Sequence, residues 1–332
     1  MRKHHTRRRT FIAAAGTSML GGLAGCLGVG DSNGEFPSQD IRLIVPYGPD
    51  SNTNADAQAY GPAFEDILDV SVEVENIEGG DGMAGLSDLY QSDDGYDIAM
   101  GYTPSNQLAW LSEEPGWEFS DLRGVGRYSN YAVGMVANPE YEIESYEDLF
   151  DRYQDGEFQN CGGLGLGHTW HAIGVLFREQ EGLDWESWVS YDNAGEVVQA
   201  VTGDEVSIAF LSEDNAIPPH NEGDIDYLGP LTTEPTEITP DDVQTWSDVS
   251  DNDYDYLTSV TSDIYAPPET PDEQIEILEE TLEEATQAST VEEYHNDQVQ
   301  ILEFEGADAV DQDIEDVLTE VPEQLPMDEI QQ

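Results

Sequence analysis

The chain has 332 residues, of which 38% are hydrophobic and 9% aromatic, and its 72 acidic residues far outnumber its ten lysines and arginines. This apolar and aromatic content is enough to bury a core, so the high charge does not indicate a disordered chain. The formal net charge of −62 leaves no basic patch to neutralise phosphates, which excludes nucleic acid as a partner.

The first 26 residues have the pattern of an export signal. Arg7 to Arg9 stand before Thr10-Phe11 and a short apolar run that ends at Leu23 to Cys26. The arginines resemble a twin-arginine signal, and the ending resembles a lipobox, in which Cys26 is lipidated and becomes the new N-terminus. A single spanning helix is the alternative, but it needs roughly 20 apolar residues. The run from Phe11 to Cys26 is shorter and rich in glycine.

Removal of this segment would make the remaining chain more acidic, because five of the ten basic residues lie in the first nine positions. Five arginines would then stand against 72 acidic residues, a formal charge of −67. Such a charge destabilises a compact state by self-repulsion in dilute buffer. At about 1 M ionic strength the Debye length is only about 3 Å. We therefore predict a protein adapted to multimolar salt, from a halophilic organism.

After the signal, the chain is predicted to alternate strands and helices. Residues 27–35 are small and polar, as in a flexible tether. Strands are then predicted at 41–45, 71–75 and 97–101, with a turn-rich loop at 46–54 and helices at about 55–68 and 82–91. This order is typical of a parallel sheet with right-handed crossovers.

A second α/β unit is predicted to follow with different loops. It has strands at 131–137, 189–191 and 206–210, helices at 145–153, about 168–181 and 195–201, and a Gly-rich stretch at 161–167. A strand at 257–265 then leads to a helix with Thr270 as its N-cap. The apolar stripe of that helix is Ile275, Leu278, Leu282 and Ala285.

These patterns predict two α/β lobes, formed by residues 36–133 plus 258–332 and by residues 134–257. The expected ligand site is the cleft between the lobes, because ligands of open α/β sheets bind at the carboxyl ends of strands. The Gly-rich stretch enters a helix near His168, where backbone N–H groups at the positive helix end suit a carboxylate. With so few arginines, amides and hydroxyls are nearly the only groups available to capture one.

Cys161, His168 and His171 are the side chains that invite a metal site or a Cys–His nucleophile. Their spacing is loose for either. The run of glycines from Gly163 to Gly167 lacks the Lys-Ser/Thr of a phosphate-binding loop, and no Gly-x-Ser-x-Gly elbow supports a hydrolase. The sequence therefore predicts no metal, no cofactor and no catalytic residue.

Seven short motifs occur in a characteristic order. They are the run Phe36 to Tyr47, Val74 to Asn76 with Gly79 to Gly85, Asp94 to Asp97, Gly165 and Gly167 with His171, Tyr191 with Gly195, Gly203 to Val206, and Ala266 to Pro271. Over residues 36–325 this order resembles the substrate-binding proteins of tripartite tricarboxylate transporters, also called the Bug family. The resemblance implies a two-lobed periplasmic-binding-protein fold of the type II kind, no enzymatic activity, and delivery of small, usually carboxylate-bearing solutes to a membrane transporter.

The expected ligand-binding residues come from the loop after the first strand, from the end of the third strand and from the second lobe. They are Tyr47, Pro49, Asp50, Ser51, Asn52, Thr53, Asn54, Tyr102, Thr103, Ser105, Gly167, His168, Thr169, His171, Tyr191 and Asn193. The chain departs from the family pattern at Asp50, where glycine is common, and at Leu211, which replaces an acid. If Asp50 faces the cleft, it would repel a second ligand carboxylate or demand a cationic group.

Together, the residues and the resemblance predict a solute-binding lipoprotein of a halophilic archaeon. We expect Cys26 to anchor it by lipid to the extracellular face of the cell membrane, after export by the twin-arginine route. Its expected partners are a small organic solute and the membrane components of a tripartite transporter. The alternative is a related binding protein that acts as a ligand sensor or adaptor for a signalling receptor.

Overall fold

A computed structural model of the chain describes residues 36–298 and 300–330. The predicted signal peptide, the lipid attachment site Cys26 and the tether at 27–35 lie outside these residues. Among the helices that are described, none combines the length and the apolarity needed to cross a bilayer.

The first third of the described chain follows the predicted order of elements. The elements are β1 (Ile41–Val45), α1 (Asn52–Leu68), β2 (Val72–Asn76), α2 (Met83–Tyr90), β3 (Asp97–Thr103) and α3 (Ser105–Glu113). β1 pairs in parallel with both β2 and β3, which confirms the predicted parallel sheet. The helix α3 was not predicted from the sequence.

The middle of the chain forms the second set of elements. They are β4 (Arg123–Ala137), α4 (Tyr146–Gln154), β5 (Asn160–Leu164), α5 (Thr169–Glu181), β6 (Ser187–Tyr191), α6 (Ala194–Thr202), β7 (Ile208–Ser212), α7 (Glu213–Glu222) and β8 (Asp226–Pro230). The Gly-rich stretch therefore contains a strand, β5, before it enters α5. Its glycines allow close packing, since a Cβ at Gly163 would lie 2.5 Å from the ring of Trp188.

The last part of the chain returns to the sheet and ends in helices. Its elements are α8 (Asp255–Thr258), β9 (Ser259–Ala266), α9 (Asp272–Thr286), α10 (Ser289–Gln298), β10 (Ile301–Gly306), α11 (Ala307–Gln324) and α12 (Met327–Ile330). The predicted strand at 257–265 corresponds to β9, whereas α10 to α12 and β10 were not predicted.

All ten strands belong to one sheet, in the order β2-β1-β3-β9-β4-β7-β5-β6, with β8 and β10 also paired to β4. β4 is long enough to serve two parts of the sheet. Its N-terminal part pairs with β9 and β10, and its C-terminal part pairs with β7 and β8. We call the strands on the β9 side the first half of the sheet and those on the β7 side the second half.

β4 begins eight residues before the strand that was predicted at 131–137. Its first part is irregular, because the register with β9 shifts between Gly124 and Gly126 and again between Arg127 and Ser129. A bulge breaks the alternation of side chains between the two faces. The period-2 pattern by which strands are identified is therefore lost in this segment.

Each half of the sheet has its own hydrophobic core. Tyr60, Phe64 and Tyr128 are fully buried in the first half, and Phe177 and Trp246 are buried in the second half. The helix α11 contributes to both halves, with its N-terminal apolar residues in a cluster of the first half and its C-terminal ones in the core of the second. The division into lobes at residues 133 and 257 stays a prediction.

The apolar stripe predicted for α9 is confirmed, since its members are all buried: Ile275, Leu278, Leu282 and Ala285. The helix itself begins later than predicted, at Asp272, with Pro271 in the N-cap position. Thr270 is instead buried, and its carbonyl accepts a hydrogen bond from the Arg123 guanidinium at 2.5 Å. Tertiary packing of Thr270 therefore replaces the expected cap.

Candidate functional site

A cavity of about 540 Å³ opens where the two halves of the sheet meet, at the carboxyl ends of β1, β3 and β5. We call it the front cavity. Half of its sixteen lining residues bear a hydroxyl, and the full set is Tyr47, Ser51, Asn52, Thr53, Asp81, Tyr102, Ser105, Ala109, Ser112, Glu113, Tyr131, Leu166, Gly167, His168, Thr169 and Ile330. A polar cavity at this edge of the sheet is where the strand order predicts a ligand.

Three helices begin at the front cavity. The first turn of α1, with Ser51 as N-cap, lines one wall, and α3 and α5 begin at the lining residues Ser105 and Thr169. The Ser105 and Thr169 hydroxyls lie 2.8 Å apart, so a hydrogen bond joins α3 of the first half to α5 of the second. Because each helix N-terminus carries a partial positive charge, the three together favour an anion in the cavity.

The loop before α5 uses part of its own backbone donors. The Gly167 N–H donates to Nδ1 of His171 at 3.2 Å, and the His168 N–H donates to the Gly165 carbonyl at 3.1 Å. Among the backbone amides of Gly167, His168 and Thr169, only that of Thr169 has no hydrogen bond to a described residue. Two of the amides are therefore already engaged, and hydroxyl groups make up a larger share of the donors available to a ligand than the sequence indicates.

Three tyrosines form a neutral donor wall. Burial raises the pKa of Tyr47, Tyr102 and Tyr131, so these phenols stay protonated at any physiological pH. The Tyr47 oxygen already accepts a hydrogen bond from Nδ2 of Asn106 at 2.8 Å. Its own proton is therefore free to be donated.

His168 also acts as a neutral group, because burial lowers its pKa to about 4. Its Nδ1 accepts a hydrogen bond from the Trp170 N–H at 3.3 Å and so caps α5. An accepting Nδ1 places the ring proton on Nε2. His168 can therefore donate one hydrogen bond into the cavity without bringing a charge.

The charged groups at the front cavity are acidic. Asp81 and Glu113 line it, and both are exposed. Each of the five arginines of the described chain forms ion pairs elsewhere: Arg42, Arg123, Arg127, Arg152 and Arg178. An anion bound here must be held by dipoles and hydrogen bonds, at a distance from the two exposed carboxylates.

Nine of the sixteen predicted binding residues line the front cavity. They are Tyr47, Ser51, Asn52, Thr53, Tyr102, Ser105, Gly167, His168 and Thr169. They come from all three of the segments named in the sequence analysis.

The other predicted residues lie outside this lining: Pro49, Asp50, Asn54, Thr103, His171, Tyr191 and Asn193. Asp50 is exposed and is not among the residues that line the cavity. The helix α1 begins at Asn52, three residues before the predicted start, because the Ser51 hydroxyl accepts a hydrogen bond from the Asn54 N–H at 3.1 Å. This cap turns Asn54 away, and its side-chain amide donates to the Pro49 carbonyl at 2.9 Å.

The remaining predicted residues lie on other faces or make other contacts. Thr103 follows the lining residue Tyr102 on β3 and therefore points to the opposite face of the sheet. His171 packs against Trp188, with ring centroids 5.1 Å apart, and holds the Gly167 loop. Asn193 caps α6 by accepting from the Glu196 N–H at 3.0 Å, and Tyr191 lies at the end of β6.

Sequence reasoning missed seven lining residues: Asp81, Ala109, Ser112, Glu113, Tyr131, Leu166 and Ile330. Ala109, Ser112 and Glu113 share one face of α3, and an i, i+3, i+4 search would have grouped them. Asp81 lies in the glycine-rich motif at residues 79–85, and nothing in that motif alone indicates contact with a ligand. Ile330 comes from the chain end, and no local pattern places it at the cavity.

In the part of the chain that the structure describes, no three His, Cys, Asp or Glu side chains come together in an arrangement able to hold a metal ion. Cys161 is a buried free thiol, and burial raises its pKa to about 12. It stays a protonated thiol, which is the unreactive form.

The sheet is mixed and flanked by helices, and a polar cavity lies at the carboxyl ends of its parallel strands, which is the place where open α/β sheets bind ligands. The profile of the tripartite tricarboxylate transporter family receptor, TctC, matches residues 59–320. The chain belongs to this family.

Relatives agree with that assignment. A UPF0065 protein of Bordetella pertussis is 24% identical over 269 residues, which cover 80% of this chain and 82% of that protein. A solved TctC solute-binding protein from Polaromonas superposes with a TM-score of 0.78 at 16% identity, over 88% of this chain and 100% of that one. MatC from Rhodopseudomonas palustris, solved with bound malate, has a TM-score of 0.64 at 17% identity, over 87% of this chain and 99% of that one. At these identities the solved structures establish the fold.

Proposed function

We propose that the protein captures a small carboxylate-bearing solute in the front cavity and delivers it to the membrane components of a tripartite tricarboxylate-type transporter. The convergence of three helix N-termini on a hydroxyl-lined cavity carries this proposal. Membership of the receptor family supports it, as does the malate bound in a structural neighbour.

The carboxylate is held without an arginine. Its oxygens take the place between the ends of α3 and α5, where the Ser105 and Thr169 hydroxyls and the Thr169 amide can donate to them. Thr53 on α1 is buried at the opposite wall. Hydrogen bonds to an ionised acceptor are roughly twice as strong as neutral ones, and the helix dipoles add to them in a partly buried setting. A cavity of neutral donors can therefore bind an anion in a chain that has almost no basic residues.

We further propose that the protein works on the outer face of the cell membrane. The lipobox-like ending at Cys26 supports a lipid anchor, and the arginines before Thr10 support export by the twin-arginine route. A single acyl chain gives only marginal attachment, so a two-chain anchor is needed for stable residence at the membrane. Export of an already folded protein suits a chain whose acidic surface requires salt to fold.

Calorimetric titration with malate in about 3 M KCl tests the solute assignment. Thr169→Val removes the hydroxyl alone, whereas Thr169→Pro removes both the hydroxyl and the amide N–H at the first helical position, where proline is tolerated. We expect Thr169→Val to raise the Kd about tenfold, the effect of losing one hydrogen bond of about 1.4 kcal/mol, and Thr169→Pro to raise it further. Thr202→Val, at the exposed end of α6, is the matched control and should bind as the wild type does.

Two results would count against the proposal. If the wild type binds neither malate nor other small carboxylates, the solute class is wrong. If both Thr169 variants stay folded and keep full affinity, the anion does not lie at the N-terminus of α5.

A further inference from the structure

A second cavity, of about 720 Å³, lies against the other face of the sheet. We call it the back cavity. Tyr102 lines the front cavity and Thr103 the back one, and on β4 Tyr131 lines the front and Asn130 the back. Since successive side chains of a strand point to opposite faces, β3 and β4 form a wall that the two cavities share.

The lining of the back cavity is strongly acidic. Eight carboxylates face it, against one guanidinium, that of Arg127. Three of the acids, Asp313, Asp316 and Glu320, are spaced i, i+3 and i+7 on α11 and so form one stripe along the helix. Others, including Glu234 and Asp253, belong to the segment between β8 and β9. The negative charge is therefore spread over at least two walls.

Arg127 does not neutralise this charge. Its two terminal nitrogens are engaged by Glu305 and Asp313, and Asp263 is its cross-strand partner on β9. One guanidinium is thus shared by three acids. The Nε of Arg127 has no hydrogen-bond partner among the described residues.

Surface acids alone would not indicate a ligand in so acidic a chain, but Asp263 is different. It is fully buried, and its Oδ2 accepts hydrogen bonds from the hydroxyls of Thr103 at 2.7 Å and Thr261 at 2.9 Å. Both threonines line the back cavity. Asp263 shares their face of the sheet, because Thr261 is two residues away on β9 and Thr103 is the cross-strand partner of Thr261.

The second carboxylate oxygen of Asp263, Oδ1, has no hydrogen-bond partner among the described residues. The same holds for two atoms of the cavity lining, the Asn130 Oδ1 and the Tyr256 hydroxyl. Buried polar atoms are almost always hydrogen-bonded. One unpaired acceptor and a hydroxyl in the lining, and a second unpaired acceptor on Asp263 behind the lining threonines, stand at a cavity with excess negative charge. They match a ligand that brings several N–H donors and positive charge.

We propose that the back cavity binds an organic cation with two or more separated amino groups, of the polyamine class. The volume is far larger than a bare metal ion needs, and the described residues offer no metal-binding arrangement. One ammonium group would be held near Asp263 and Asn130, and another would pair with the acidic stripe on α11. The Tyr256 ring can cover the methylene chain between them.

The test is calorimetric titration of the full chain with 1,4-diaminobutane, at the lowest KCl concentration that preserves cooperative unfolding. We expect one diamine per protein and no heat from 1,4-butanediol, which has the same length without charge. Asp316→Asn with Glu320→Gln should weaken binding at least tenfold. Glu315→Gln with Glu323→Gln removes the same charge from α11 outside the back cavity and should leave the affinity unchanged.

Three outcomes would overturn the proposal. Several diamines per protein, or equal weakening by the two double variants, would indicate counterion condensation on an acidic surface. Displacement of the diamine by one equivalent of Mg²⁺ at constant ionic strength would indicate a metal site. If the wild type does not bind the diamine, the proposal for the back cavity is wrong, whether or not malate binds at the front cavity.

Discussion

The front and back cavities share the strands β3 and β4 as a wall and yet have opposite chemistry. The front cavity combines three helix N-termini with neutral hydroxyls and two exposed acids, whereas the back cavity places eight carboxylates over a buried aspartate. Adjacent residues of the same strand contribute to both. The difference shows that the charge of a site is decided by which helices and loops cover each face of a sheet, more than by the strands themselves.

The largest expected difference in stability between the regions around the two cavities comes from lowering the salt concentration. The Debye length grows from about 3 Å at 1 M to about 10 Å at 0.1 M, so repulsion among the acids of the back cavity should rise first. We expect amides of α11 to lose protection from hydrogen exchange before those of α5, and the whole fold to be lost below roughly 1 M salt. Hydrogen exchange measured at about 3, 1 and 0.3 M KCl detects both the early loss of protection in α11 and the loss of the whole fold. A cooperative melt that is unchanged from low to multimolar KCl would contradict the adaptation to salt.

Lowering the pH should change the stability contributions of one group at each cavity, His168 at the front and Asp313 at the back, in opposite directions. Burial lowers the pKa of His168 to about 4 from an ordinary 6.5, so its contribution to stability is complete above pH 6.5 and is lost as the pH falls through 4. Burial raises the pKa of Asp313 to about 6 from an ordinary 3.8, so its ionisation destabilises the fold above pH 6. That penalty disappears as the pH falls toward 3.8.

Two variants separate these contributions. Between pH 7 and 4.5, His168→Gln should lose less unfolding free energy than the wild type, and Asp313→Asn should lose more. Each difference should be about 1 kcal/mol after solvent screening is allowed for. Urea unfolding at constant high KCl gives the three pH profiles. Parallel profiles would mean that neither group titrates with a shifted pKa.

The smallest expected effect concerns the two acids at the front cavity. Asp81→Asn with Glu113→Gln should strengthen malate binding about two- to fivefold, since an exposed charge contributes roughly 0.2–1 kcal/mol. Acetate, with one carboxylate, should gain less. Glu114→Gln with Glu118→Gln removes two exposed charges outside the lining as a control. An equal gain in the control would assign the effect to long-range charge, and a gain that persists in about 3 M KCl would contradict simple repulsion.

Local patterns predicted the parts of the fold that depend on local rules. The first βαβαβ unit, the stripe on α9 and the Gly-rich entry to α5 follow from periodicity, and nine of the predicted site residues line the front cavity. The differences in element bounds have physical causes. Bulges break the alternation in the first part of β4, and the hydrogen bond to the Ser51 hydroxyl makes α1 begin at Asn52, before the predicted start.

The back cavity illustrates what a sequence alone does not contain. Asp263 is one acid among 72 in the chain, and its burial depends on three strands and α11 meeting around it. Thr103 is predicted at the front site because the third strand is expected to end at residue 101, whereas β3 extends to Thr103 and its alternation sends Tyr102 and Thr103 to opposite faces. Long-range packing, rather than residue type, decides the role of such positions.

The hydrogen bond between Ser105 and Thr169 has a consequence for selectivity. It joins the two halves of the sheet across the front cavity, so two hydroxyls of the lining are already paired with each other. An incoming molecule must outcompete this internal pair, and solutes whose oxygens make only average hydrogen bonds gain nothing by entering. This pair thus sets a threshold of hydrogen-bond strength for binding at a cavity whose lining has no positively charged side chain.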